Sequence, residues 1–308
     1  MGLFIVSCSD ETIPEENDYS PYIHKVFDFC PAVGQFTNEL PVYKPGDTKD
    51  SMIVKANKAL AGANPSMVSL GGFGGYIVFG FDHTVENVKG KRDFRVLGNA
   101  FWSDANPNNT AEKGGSCEPG IIMVSYDANK NGIPDDEWYE IAGSAYNESV
   151  KDYEITYYKP DPSKAPVPGE EKWQKDIEYI KWEDNKGNSG YKTHTTFHLQ
   201  SYFPKWITED KITFKGTLLP NNAVNEGSKE ESYWVLYAYD WGYADNYPNN
   251  KEGSAIDIDW AVDKNGNKAN LPGITFVKVY TGINQEAGRI GEVSTEITGA
   301  VDLHLLGK

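Results

Sequence analysis

Seven short runs of β-branched and aromatic residues, each bounded by turn residues, constrain this chain more than any other feature. They cover residues 76–79, 94–97, 121–124, 153–157, 211–214, 234–237 and 275–279. Such runs fit a pleated, half-buried surface, and Gly71-Gly72, Gly74-Gly75, Asn131-Gly132 and Asn265-Gly266 supply the turns between them. Only residues 47–63 have helical character, with Met52, Val54, Ala59 and Leu60 among lysines and alanines. The pattern predicts an all-β chain, a β-sandwich or jelly roll with few short helices. A parallel α/β sheet would need long amphipathic helices between its strands. No repeat of 20–50 residues is visible, which disfavours a propeller or solenoid.

The 308 residues carry a formal charge of −16 and a pI near 4.8. A nucleic-acid backbone would be repelled by that charge, whereas divalent cations would not. No apolar run near the 18–20 residues that span a bilayer occurs past the N-terminus. The opening run Leu3-Phe4-Ile5-Val6-Ser7-Cys8 resembles a bacterial lipobox, in which the cysteine thiol takes up diacylglycerol. Acidic residues follow at Asp10 and Glu11. Residues 1–8 are therefore expected to be a truncated lipoprotein signal, with Cys8 the lipidation site and the protein lipid-anchored at the cell surface of an outer membrane. Residues 9–20 are polar, contain Pro14 and read as a flexible tether. Residues 21–308 then form a single β-sandwich-like ligand-binding domain. A stretch from about 159 to 200, rich in Pro160, Pro162, Pro166 and Pro168, reads as a structured insertion. Cys30 and Cys117 are either a disulfide or two buried thiols.

The sharpest chemical motif is Asp127-Ala-Asn129-Lys-Asn131-Gly132-Ile133-Pro134-Asp135. Calcium takes 6–8 oxygen ligands from a curled loop, and oxygen-bearing side chains at alternate positions before a glycine provide one. Asp127, Asn129 and Asn131 would bind through side chains, Ile133 through its carbonyl, and Asp135 directly or through water. Trp138 stands where an EF-hand would have its bidentate Glu, and a metal-free hairpin turn is the competing reading. Catalytic constellations are thin. His194 and His198 sit in a β-branched segment without the Glu of a zincin, and Gly71–Gly75 precedes a strand rather than the helix that phosphate binding needs. The expectation is a protein that is not an enzyme.

Binding signals are stronger. Trp234 to Tyr237 reads as a strand that runs into an aromatic, polar loop containing Trp241, Tyr243, Asp245, Asn246 and Tyr247. Rings supply apolar area and amides fix orientation, so this loop is the expected ligand site, with Trp102, Trp182 and Trp206 as further contributors.

Several blocks together carry a family resemblance. They include Cys30-Pro-Ala-Val-Gly34-Gln35-Phe36, Ser69-Leu-Gly-Gly-Phe-Gly-Gly75, Asp82-His-Thr-Val-Glu-Asn87, Gly98-Asn99-Ala-Phe101, Glu118-Pro119-Gly120, Trp138-Tyr139-Glu140 and Ala255-Ile-Asp257-Ile-Asp259-Trp260. The chain resembles bacterial cell-surface lipoproteins with a jelly-roll-like domain, among them those of cobamide (vitamin B12-type) acquisition loci in gut Bacteroidota. That resemblance implies a non-enzymatic lipoprotein that binds a cobamide and assists its uptake through an outer-membrane TonB-dependent transporter. A carbohydrate-binding or adhesion module is the alternative.

Overall fold

The computed structural model describes residues 18–103, 113–228 and 231–306. Cys8 and most of the 9–20 tether lie outside them. Strands make up 38% of the described residues and helix 8%, so the all-β expectation is correct. All seven expected strands form, most of them longer than their apolar runs, as in Tyr76–Glu86, Val150–Tyr158 and Gly273–Thr281.

The helix runs Lys49–Leu60. Thr48 caps it: its Oγ1 accepts from Ser51 N at 3.3 Å, while Ser51 Oγ accepts from Thr48 N at 3.2 Å. Met52, Ala56 and Leu60 repeat every fourth residue, so they share the face packed on strand Lys25–Cys30. That strand is the edge of a six-stranded antiparallel sheet. Across it come Tyr76–Glu86, Gly273–Thr281, Gly120–Ser125, Trp138–Ile141 and Ala261–Val262. Period-two alternation divides the sheet's side chains. Ile77, Phe79, Ile122, Val124, Val277 and Val279 enter the core beneath the helix, and Ile121 and Tyr280 enter a second core on the other side.

Residues of the expected insertion join strands on either side of it in a second sheet. Gln174–Asp184 and Ser189–Thr195 form a hairpin that extends Val150–Tyr158 and Lys211–Leu218, in the order Ser189–Thr195, Gln174–Asp184, Val150–Tyr158, Lys211–Leu218. Tyr153, Ile155, Tyr157, Ile180, Tyr202 and Phe214 fill its separate core. Phe73 reaches that core from the glycine bend. A Cβ on Gly75 would overlap the Leu70 carbonyl, so the bend does serve close backbone approach.

The remaining strands are two to four residues long and fall into three smaller sheets. The four sheets of three or more strands have a propeller-like arrangement and do not clearly make the two facing layers of a jelly roll. The missing sequence repeat pointed away from this arrangement. These sheets have six, four, four and three strands, so no common period links them. Local breaks keep several of these strands short: Gly98 follows Phe94–Leu97, and the 3-10 turn Ile258–Trp260 separates Ala255–Ile256 from Ala261–Val262. Cys30 and Cys117 are free thiols, which decides between the two readings of that pair. Among the described residues no helix is long and apolar enough to cross a membrane.

Candidate functional site

The 241–247 loop turns inward. Tyr243, Asp245, Asn246 and Tyr247 are buried, and protein groups engage the polar atoms of the first three. Asn246 Oδ1 accepts from Tyr239 N at 2.8 Å, and its Nδ2 donates to Tyr239 O at 2.8 Å. The Tyr243 hydroxyl accepts from Ala145 N. These residues hold the loop onto the sheet, and the structure places them in the interior rather than on an open surface. The other expected aromatics are dispersed. Trp241 packs on Trp260 at 4.3 Å, and Trp102 meets Tyr247 edge-on at 5.1 Å. Trp182 packs against the core of the second sheet, and Trp206 lies on Tyr43 beside the main core.

What the loop builds is an acidic centre. Glu118 stands just before Gly120–Ser125, and its N–H donates to Asp245 O at 2.8 Å. Asp245 has φ 51°, a left-handed conformation that Asp tolerates better than most residues. Its Oδ1 accepts from Asn99 N and Ala100 N, each at 2.8 Å, and its Oδ2 accepts from Glu296 N at 2.9 Å. With its amide nitrogen turned toward this carboxylate, Asn99 donates to both oxygens. A Cβ on Gly98 would overlap Asp245 Oδ1, so glycine is required there. Glu296 Oε1 accepts from Ser69 Oγ at 2.8 Å and Ser294 Oγ at 3.0 Å. Oxygens of Glu118, Asp245 and Glu296 all lie within 4.8 Å of one another.

Burial raises the pKa of all three acids, and their mutual repulsion raises those of Glu118 and Asp245 further. The side-chain interaction between Glu118 and Glu296 raises the pKa of the first further and lowers that of the second, so the two titrate together. The centre can thus hold protons or a divalent cation, and its donor set of carboxylates and hydroxyls suits a hard ion such as calcium. All three acids are buried, and none lines the surface cavities described below. The sequence carries no sign of it, because the three acids come from distant segments.

The Asp127 loop is curled as expected. Asp127 Oδ1 and Oδ2 accept from Asn131 N and Gly132 N, Asn129 Oδ1 accepts from Asn131 N, and Asn131 Oδ1 accepts from Ile133 N. The Asn129 and Asn131 amides both donate to Asp135, which ties the two ends of the loop together. The Ile133 carbonyl accepts from Asp135 N at 2.8 Å. We propose calcium binding here. Saturating calcium should raise the melting temperature over EDTA, by about 2.7 kcal/mol of stability at a hundredfold excess over Kd. Asp127→Ala should abolish the difference. Superimposable wild-type melts in the two buffers would leave only the hairpin turn.

Two surface grooves could take organic ligands. The larger, about 880 Å³, is lined by Trp173, Phe197 and Trp234 with Asn225, Glu231 and Arg289 among its polar groups. Phe197 is 51% exposed, and the Arg289 guanidinium lies 5.6 Å from its ring centre. The second, about 670 Å³, runs over the six-stranded sheet past Trp138, Glu140, Tyr146 and Lys151. Phe197 carries no signal in the sequence, and Trp173 is visible there only as one ring of the proline-rich stretch. Both flank its hairpin. No family model matches the chain. No curated protein matches it either.

Proposed function

We propose that this protein is a non-enzymatic, lipid-anchored cell-surface protein that binds a cobamide and passes it to an outer-membrane TonB-dependent transporter. The observation supporting a binding role is the open groove between Trp173, Phe197 and Trp234. A corrin ring is broad, flat and fringed with amides. It needs aromatic surface beneath it and hydrogen-bonding side chains at its rim, which Asn225, Glu231 and Arg289 supply. The choice of a corrinoid over another flat ligand rests on the family resemblance, as does the finer jelly-roll reading of the fold. Anchoring rests on the lipobox-like run before Cys8; an unmodified Cys8 thiol in membrane-extracted protein, read by mass spectrometry, would remove it.

Truncating a central aromatic anchor typically costs about 2 kcal/mol, and each 1.4 kcal/mol is tenfold in affinity. Trp234→Ala should therefore weaken cyanocobalamin binding at least tenfold, with an unchanged circular dichroism spectrum. Undiminished affinity would place the ligand elsewhere. A carbohydrate-binding role is the second reading, favoured by the groove over the six-stranded sheet, where the Trp138 and Tyr146 rings stand among Asn147, Asp152 and Asp263. A glycan array, run beside the titration, separates the two ligands.

A further inference from the structure

A third cavity, of about 450 Å³, opens between the proline-rich segment and the hairpin that follows it. In a chain of net charge −16, this cavity is lined by Lys159, Lys164, Lys175 and Lys205. Its two acids are turned to the protein's own backbone. Asp161 Oδ1 accepts from Ser163 N and Oγ, and Asp176 Oδ1 accepts from Val167 N and Glu178 N. Lys164 is paired with Glu178 at 2.8 Å, and Lys159 donates to Ile207 O. Lys175 and Lys205 have no carboxylate within salt-bridge distance among the described residues. The wall behind these lysines is flat and apolar. Tyr179 stacks on His194 at 4.3 Å and 18°, and Phe203 and the prolines complete it. His194 is buried, and its Nε2 has no hydrogen-bond partner.

We infer that this cavity is a second ligand site, for a small organic anion with a flat apolar body and a carboxylate or phosphate group. The aromatic wall takes the body, and Lys175 and Lys205 take the charge. The size is within the range of small-molecule sites. The inference is independent of the cobamide reading, because it concerns a different cavity.

The test is calorimetric titration of the full chain with 2-naphthyl phosphate, 2-naphthoate and the neutral 2-naphthol. At least one of the two anions should bind, more weakly as salt rises, and whichever is tighter identifies the charged group. The double variant Lys175→Ser, Lys205→Ser should bind it roughly tenfold more weakly, since charge-assisted contacts are the strong ones, at an unchanged melting temperature. Absence of binding by both anions, equal affinity for 2-naphthol, or equal affinity in the double variant would each overturn the inference.

Discussion

Replacing Asp245 by alanine is expected to lower the melting temperature by about 5 °C or more. The buried carboxylate accepts three backbone N–H groups, from Asn99, Ala100 and Glu296. A buried donor left without an acceptor costs about 1–3 kcal/mol, so the loss is about 3 kcal/mol or more. For a chain of this size each kcal/mol is about 1.5 °C. The alanine would also have to adopt φ 51° without the side-chain bonds that hold Asp245 there. Asp245→Asn should lose less, because its amide oxygen still serves the Asn99 and Ala100 N–H groups and the variant removes one charge from the cluster. Equal melting temperatures for wild type and Asp245→Ala, by calorimetry, would show that this centre does not organise the fold.

The second large effect is a loss of stability with rising pH. Glu292 is buried, and burial pushes its pKa from the ordinary 4.5 to about 8. Lys192 opposes that shift, as do the bonds it accepts from Gln35 N and Ser294, whereas the Glu296 charge adds to it. The folded state therefore holds a proton that the unfolded chain releases above pH 4.5. This contribution is fully present below that value and is lost as pH rises through about 8. At about 1.4 kcal/mol per unit, the 3.5-unit difference (8 − 4.5) is on the order of 5 kcal/mol. Glu292→Gln keeps the shape and removes the titration. Denaturant melts at pH 5, 6.5 and 8 should show the wild type losing stability relative to this variant at each step. A constant difference between the two proteins across that range would contradict the assignment.

How much of this is legible in the sequence depends on whether a feature is local. The strands are legible because Ile77, Phe79, Val277 and Val279 alternate within a few residues, and the helix because Met52, Ala56 and Leu60 share a face. The curl of the Asp127 loop follows from oxygens spaced two residues apart. Strand Gln174–Asp184 is hidden, because it is rich in charged residues such as Lys175, Asp176, Glu178, Lys181, Glu183 and Asp184. The acidic centre is invisible for a different reason: Glu118, Asp245 and Glu296 come from distant segments and meet through long-range contacts, among them the bridge between Gly120 and Ala244 and the pairing of Glu296 with Ser69. The 241–247 loop misleads because polar and aromatic residues beyond a strand suggest an outward face. Asn246 and Asp245 are instead occupied by backbone N–H groups, and Tyr243 packs into the core beneath them.

The central claim is that a cobamide is the ligand. Its most direct test is titration of the purified full-length protein with cyanocobalamin, followed by the corrin absorbance or by heat. Saturable binding at one site per chain is the expected result, with no change in the axial ligation of cobalt, because among the described residues no histidine lines the Trp173–Trp234 groove. No binding at any concentration reached, with a glycan captured instead, would contradict the claim and make the protein a carbohydrate-binding module.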